Sequence, residues 1–128
     1  MGIFDRFKKK EVAPVVKKEP SLLERLCGSD KELYEELSVT IYLRPESIGT
    51  YHQKMEVAKG CEKAGALERA VAEYRNAGSL ALYEGNATGV KKAFDKVAEL
   101  SNRKFERLRA DPDKAVEITK QYYSSRKA

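Results

Sequence analysis

The chain has 128 residues, 41% hydrophobic and 35% charged, so a single domain can bury a core without disulfides or a structural metal. The net charge of +5 resides in the ends: residues 1–20 carry six Lys and Arg against three Asp and Glu, and residues 102–128 carry eight against four. Residues 21–101 carry eleven basic against thirteen acidic side chains, a balance that argues against a nucleic-acid-binding domain, which usually has a basic folded face.

Residues 1–20 are predicted to be a basic, flexible arm and linker ahead of a helical domain spanning residues 21–128. The first ten residues, MGIFDRFKKK, combine three large apolar side chains with a run of lysines. Such a segment can bind an anionic membrane surface, and the alternative is a frayed basic terminus. The residues of this candidate membrane contact are Ile3, Phe4, Phe7, Lys8, Lys9 and Lys10. Pro14 and Pro20 indicate the linker, because proline disfavours helix at the preceding residue.

The cellular compartment is predicted from two absences in the sequence. No secretory signal is recognisable at the start, and no run approaches the ~18 apolar residues of a membrane span. We therefore expect a cytoplasmic protein, peripheral at the inner face of the membrane if the arm binds lipid. Cys27 and Cys61 are expected to be reduced thiols, with a disulfide between them as the alternative.

Capping residues predict six helices from Ser21 onward. Ser21 and Ser29 each precede a glutamate by three residues, which is the spacing of a capping box. Asp111 before Pro112 has the residue types of an N-cap and a first helical position. The predicted helices run from Ser21 to a stop at Gly28, then over about 29–43, 45–64, 66–83, 88–109 and 112–123.

Apolar residues recur every three or four positions in the last four helices, which predicts their inward faces. No segment alternates with a period of two, and the connections are short, so the helices should pack antiparallel in an all-α fold. The predicted inward residues are Ile48, Tyr51, Met55, Ala58 and Cys61; Leu67, Ala70, Val71, Tyr74, Ala77, Gly78 and Ala81; Val90, Ala93, Phe94, Val97, Ser101, Phe105 and Leu108; and Ala115, Ile118, Thr119 and Tyr122.

Small residues follow a particular spacing in residues 51–83. Ala58 is followed by Gly65 seven residues later, then Ala70, Tyr74 and Ala77 at intervals of five, four and three. The stretch resembles one hairpin of a tetratricopeptide repeat, in which facing small residues let two helices lie close together. The helices from residue 51 to about 109 are also similar in layout to microtubule-interacting-and-trafficking domains, three-helix relatives of the repeat that bind partner helices in a groove.

Either resemblance implies a non-enzymatic scaffold or adaptor that binds a protein or peptide. The implied fold stacks antiparallel hairpins into a short right-handed α-α superhelix of five to six helices. The groove would be lined by Tyr51, Lys54, Cys61, Tyr74 and Arg75, with Lys54 and Arg75 meeting acidic groups of the partner. A repeat array this short could also cover its open ends by forming a homodimer.

Four further tyrosines, Tyr42, Tyr83, Tyr122 and Tyr123, lie at predicted helix ends. Aromatic residues at such positions often rim a groove or an oligomer contact. The alternative is that the rings belong to the core and only the hydroxyl groups reach the surface.

Residue types typical of enzymes and metal sites are sparse. His52, the single histidine, lies nine residues from Cys61, about 13 Å along a helix, so no catalytic pair is expected. Two cysteines and one histidine fall short of four zinc ligands, and no glycine-rich phosphate loop is present. We expect no enzymatic activity, cofactor or metal. The remaining alternative, nucleic-acid association of the basic ends, would use Arg103, Lys104, Arg107, Arg109, Arg126 and Lys127.

Overall fold

The computed structural model describes residues 21–127 of the chain, and in this part it contains α-helices and turns but no strand, which confirms the predicted all-α class. Residues 1–20, with the predicted arm and membrane contact, lie outside the described residues. The helices are α1 (Leu22–Cys27), α2 (Lys31–Ser38), α3 (Tyr51–Lys63), α4 (Leu67–Glu84), α5 (Ala87–Leu100), α6 (Glu106–Ala110) and α7 (Pro112–Lys127), with a 3-10 turn at Pro45–Ser47 between α2 and α3.

The first and last helices begin at the predicted capping residues. The Ser21 hydroxyl accepts a hydrogen bond of 3.2 Å from the amide three residues on, and Gly28 ends α1 with a φ of 64°. Asp111 likewise accepts a 3.2 Å bond from the amide three residues on, and Pro112 is the first residue of α7. Each cap satisfies an amide that the first helical turn leaves without a backbone partner.

The second helix differs from its prediction at both ends. Asp30 caps it instead of Ser29, because the Asp30 carboxylate accepts a 3.0 Å bond from the amide of Leu33. The helix ends at Ser38, five residues before the predicted end. The hydroxyl of Thr40 donates to a backbone carbonyl of α2 at 2.7 Å, so a side chain competes with the backbone for the acceptors that a longer helix would use.

The predicted third helix, over residues 45–64, is interrupted. Pro45–Ser47 form the 3-10 turn, and Gly49 has a φ of 134°, a conformation that residues with a Cβ rarely adopt. Helix α3 then begins at Tyr51 behind a capping box formed by Thr50 and Gln53. This start signal is hard to recognise in the sequence because it lies inside an otherwise regular apolar stripe.

The predicted fifth helix, over residues 88–109, is interrupted as well. Helix α5 ends at Leu100, and Phe105 precedes α6 with a φ of 46°. A left-handed backbone conformation costs a residue that has a Cβ about 1–2 kcal/mol. Burial of the Phe105 ring, whose centroid lies 4.8 Å from that of Phe94, offsets this cost. Helix α7 extends to Lys127, beyond the predicted end near residue 123.

Helices α3, α4 and α5 form two successive antiparallel hairpins. The amide of Tyr51, at the start of α3, donates a 2.9 Å bond to the carboxylate of Glu84, at the end of α4. Between α4 and α5, a Cβ added to Gly78 would overlap the ring of Phe94, so the two helices approach closely there. The small residues of the first hairpin, Ala58, Ala70 and Ala77, are fully buried in the core, whereas Leu67, which was predicted to face inward, is 48% exposed.

Polar contacts made by α2 and its capping residue join this helix to α6 and to α7. The carboxylate of Asp30 lies 2.7 Å from the guanidinium of Arg107 and 3.5 Å from the amine of Lys114. The carboxylate of Glu36 accepts hydrogen bonds from the amides of Arg107 at 3.1 Å and Leu108 at 2.9 Å, so a side chain of α2 caps the start of α6. We call these five residues the α2–α6 junction.

Candidate protein-binding groove

A groove of about 510 Å³ opens along α3 toward α5, with part of α4 at its floor. It is lined by Met55, Lys59, Glu62, Lys63, Tyr74 and Lys96, and we call it the α3–α5 groove. The accessible apolar part of the floor is the side chain of Met55, which is 8% exposed, whereas the ring of Tyr74 is 0% exposed and lies within the core. Lys59 and Lys63 are exposed at the rim. The surface therefore combines an apolar floor with cationic edges.

Helical spacing explains how the sequence assembles this surface. Met55, Lys59 and Glu62 follow one another at intervals of four and three residues, which places them on one face of α3. Tyr74 belongs to the inward stripe of α4 but is long enough for its hydroxyl to reach the edge of the core. Lys96 extends from the neighbouring helix α5 toward the same point.

Glu62 is the centre of the polar contacts in the groove. One of its carboxylate oxygens accepts a 2.7 Å hydrogen bond from the hydroxyl of Tyr74, and the other lies 2.9 Å from the amine of Lys96. The Lys96 amine also lies 5.8 Å from the centroid of the Tyr74 ring. These contacts connect α3, α4 and α5 at one point and fix the shape of the groove.

The electrostatics of this trio follow from its hydrogen bonds. The bond from Tyr74, together with that from Lys96, holds the pKa of the Glu62 carboxyl below its usual range. Burial raises the pKa of Tyr74 far above its ordinary value, and the neighbouring Glu62 raises it further. A catalytic acid or base works best when its pKa lies near the working pH, and both groups are displaced away from neutrality. These shifts favour an ionised Glu62 and a neutral Tyr74 near pH 7, which are the states in which the Tyr74 hydroxyl donates to the carboxylate.

The five residues predicted to line one groove are not brought together. Tyr74 alone among them lies in the α3–α5 groove. Tyr51 is buried at the start of α3, where its ring packs close to Gly89. Cys61 is half-buried against the core, on a side of α3 that does not line the groove.

The two predicted cationic groups, Lys54 and Arg75, have partners within the fold. The amine of Lys54 lies 3.2 Å from the carboxylate of Glu73. The guanidinium of Arg75 lies 5.8 Å from the ring centroid of Phe105. The cationic edge of the groove is instead provided by Lys59 and Lys63, neither of which was predicted to line it, whereas the amine of Lys96 is paired with Glu62. Charged residues on a helix surface give no sequence signal that separates a groove rim from an ordinary solvated face.

One sequence feature could have pointed to Glu62. Tyr74 was placed on an inward stripe, and a buried tyrosine hydroxyl needs a hydrogen-bond partner. An acceptor near the end of the antiparallel helix α3 was therefore to be expected, and Glu62 occupies that position. The contribution of Lys96 could not be found in this way, because it lies 34 residues away on another helix.

The two cysteines and the histidine do not form a reactive cluster. Both thiols are free: Cys27 is buried and Cys61 is half-buried. Burial, together with the nearby Asp30 carboxylate, raises the pKa of the Cys27 thiol and so disfavours the reactive thiolate. His52 is exposed, and its ring packs edge-on against that of Tyr51. Among residues 21–127, no group of three or more His, Cys, Asp and Glu side chains is placed to hold a metal ion.

The basic side chains near the end of the chain are largely engaged within the fold. They are Arg103 over the ring of Phe105, Lys104 with the carbonyl of Ala98, Arg107 with Asp30, Arg109 with Asp95 and Arg126 over the ring of Tyr122. Nucleic-acid affinity comes mainly from cations that are available to neutralise phosphates. Lys104, Arg107 and Arg109 thus have a hydrogen-bond or ion-pair partner, whereas the guanidinium groups of Arg103 and Arg126 lie over aromatic rings.

Comparisons with known proteins do not supply a family for this chain. No protein-family model matches it, and neither a curated protein nor a solved structure shows significant similarity. In residues 21–127, no helix is long and apolar enough to cross a membrane. The fold and the groove are therefore the basis on which a function can be proposed.

Proposed function

We propose that the helical domain is a non-enzymatic protein-binding module, with the α3–α5 groove as the site that holds a segment of a partner protein. The observation that carries this proposal is the groove itself, which combines an apolar floor at Met55 with the exposed Lys59 and Lys63 at the rim. An open apolar surface with charged edges can accept an apolar side chain and orient the polar groups beside it.

The proposed architecture is a short stack of hairpins like that of tetratricopeptide repeats. One long-range contact supports it, because it joins residues 34 apart, which is the length of one such repeat. It connects Glu62 of α3 to Lys96 of α5. In a stacked array, residues one repeat apart lie side by side in successive units. The buried Ala58, Ala70 and Ala77 are also consistent with the close hairpin of this family.

The chemistry of the rim indicates what kind of segment would bind. Glu62 is occupied by Tyr74 and Lys96, so it presents little free negative charge to a ligand. Lys59 has one exposed partner, Glu56, at 3.7 Å, and such surface pairs are worth about 0–1 kcal/mol. Lys63 forms no ion pair within residues 21–126. The groove therefore fits a peptide that places an apolar side chain on the floor and a carboxylate beside it.

Selection of peptides from a random display library against the full chain tests this proposal. We expect the selected peptides to combine an apolar residue with flanking Asp or Glu. In ¹⁵N-edited NMR titrations they should shift the amide signals of α3 and α5 around Met55 and Lys96. A Lys59→Glu, Lys63→Glu double variant should bind such peptides at least about tenfold more weakly, since two attractive charges become repulsive.

The matched control is a Lys31→Glu, Lys120→Glu double variant, which changes the net charge equally at exposed lysines away from the groove. Its peptide affinity should match that of the wild type. The proposal fails if no peptide is enriched, if the NMR shifts map elsewhere, or if both double variants lose binding to the same extent.

A further inference from the structure

A second surface, separate from the α3–α5 groove, lies where the segment after α2 meets the ends of α4 and α7. A cleft of about 430 Å³ is lined there by Leu43, Pro45, Glu46, Tyr83, Tyr123 and Arg126, which we call the tyrosine face. Leu43 is 74% exposed and Tyr83 is 40% exposed. The rings of Tyr83 and Tyr123 pack edge to face, with centroids 5.3 Å apart. The tyrosine face shares no lining residue with the groove.

The exposed Leu43 is held in a fixed position by its neighbour in sequence. The hydroxyl of Tyr42 donates a hydrogen bond to the side chain of Asn76 at 2.8 Å, and the hydroxyl of Tyr123 donates to the carbonyl of Tyr42 at 2.5 Å. The side chain of Tyr42 is thus anchored to α4, and its backbone carbonyl is anchored to α7. An apolar side chain presented from an anchored backbone loses little conformational entropy when it is covered.

The charges at the edge of the cleft are of both signs. Glu46 and Arg126 are exposed, and Glu46 forms no ion pair within residues 21–126. The guanidinium of Arg126 lies 5.6 Å from the ring centroid of Tyr122, and a cation–π contact of this kind leaves its N–H donors available to a carboxylate. One acid and one base beside the exposed Leu43 give the tyrosine face charges of both signs, so that two copies of it can be complementary to each other.

We propose that the tyrosine face is the contact surface of a twofold symmetric homodimer. In a twofold interface the same patch faces its own copy, so each contact between two residue types occurs twice. Leu43 of each protomer would pack against the tyrosine cleft of its partner. Glu46 of each protomer would pair with Arg126 of the partner subunit. A surface with charge of one sign could not associate with itself in this way, because like charges would oppose each other.

Sedimentation-velocity measurements on the full chain from about 1 μM to 1 mM test this inference, since a small interface is expected to dissociate in that range. We expect a reversible monomer–dimer equilibrium in the wild type. Leu43→Arg should give monomers throughout, because it places two cations against the apolar centre. Glu46→Arg and Arg126→Glu should each raise the dissociation constant at least about tenfold, and the double variant should restore dimerisation, because its charges are exchanged but still complementary.

The matched control is Leu67→Arg, which introduces the same charge at an exposed leucine that lines a different cleft, at the start of α4. It should dimerise like the wild type. Circular dichroism of each variant shows whether it is folded, and Leu43 is exposed enough for its substitution to be tolerated. The inference is wrong if the wild type is monomeric throughout, if Leu43→Arg still dimerises, or if the exchanged charge pair does not recover the association. Peptide binding by the α3–α5 groove is measured in a separate experiment, so the dimer and the peptide-binding proposals can each be contradicted without the other.

Discussion

The hairpins of α3, α4 and α5 and the α2–α6 junction are stabilised in different ways. Helices α3, α4 and α5 have 13, 18 and 14 residues and bury continuous apolar stripes against one another. Helices α1, α2 and α6 have 6, 8 and 5 residues. Helices shorter than about 12–15 residues are marginal in isolation, so the short ones depend more on specific contacts made by neighbouring segments.

The difference shows what each kind of helix requires. In the hairpins, small residues allow two helices to approach closely, as Gly78 does where it faces the ring of Phe94. At the junction, the decisive feature is a set of polar groups that satisfy helix ends, as Glu36 does for two amides of α6. Substitutions that add volume should therefore damage the first region, and substitutions that remove a polar acceptor should damage the second.

The largest effect is expected from Glu36→Ala at the junction. It removes the acceptor of the amides of Arg107 and Leu108, two part-buried hydrogen bonds, and a donor left without a partner costs up to about 1–3 kcal/mol where water cannot reach it. We expect the free energy of unfolding to fall by about 2–4 kcal/mol in urea titrations. Glu35→Ala, at the neighbouring exposed glutamate, should change it by less than about 0.5 kcal/mol. Equal effects of the two substitutions would show that the Glu36 contacts do not support α6.

The same contrast explains which parts of the fold could be predicted from sequence. The inward stripes of α4 and α5 were found because their signal is local and repeats over many residues. Ala70, Tyr74, Val90 and Phe94, which belong to those stripes, are all fully buried. Local cap chemistry likewise located the starts of α1 and α7.

The junction and the groove rim could not be predicted in this way. Glu36 and Arg107 are 71 residues apart, and Glu62 and Lys96 are 34 apart, so no local pattern connects them. The break before α6 has the same origin, because the left-handed backbone of Phe105 is explained by a tertiary contact with Phe94. The predicted helix over residues 88–109 was wrong at this point, because the apolar pattern of a helix continues in the sequence while long-range packing breaks the helix itself.

An intermediate effect is expected from adding one methyl group inside the hairpins. Gly78→Ala would place a Cβ against the Phe94 ring at less than the normal contact distance, and overpacking of a core costs about 1–3 kcal/mol. Alanine also improves helix propensity by about 1 kcal/mol over glycine, so the net loss of stability should be about 0–2 kcal/mol. Gly60 is the matched control, since it lies in α3 and a Cβ added there would have no neighbouring atom within 4 Å.

Gly60→Ala should therefore stabilise the protein by about 0.5–1 kcal/mol, through propensity alone. Thermal unfolding of both variants measures the difference between two identical substitutions in long helices. If Gly78→Ala were as stabilising as Gly60→Ala, the Phe94 ring would have room to move, and close approach would not be what limits the α4–α5 contact.

The smallest effect is expected at Asp30, and it should depend on pH. A hydrogen bond from Arg107 is the main cause that holds the pKa of Asp30 below its usual value, followed by the bond from the Leu33 amide. A carboxyl whose pKa is lower in the folded state stabilises the protein above its unfolded pKa of about 4, and this stabilisation is lost as the pH falls through the folded value. Asp30→Asn keeps a side chain that can cap α2 but removes the charge.

The free energy of unfolding of Asp30→Asn should be about 1 kcal/mol below that of the wild type at neutral pH, since the ion pair is partly screened by solvent. The gap should shrink as the pH falls from about 4 through the lower folded-state pKa, because the wild-type carboxyl then becomes protonated as well. Urea titrations at both ends of this range measure the gap. Asp113→Asn, at an exposed carboxylate in the first turn of α7, should follow the wild-type pH dependence more closely. A gap that persists unchanged in acid would mean that the difference does not come from the ionised carboxylate, and that charge contributes little to the junction.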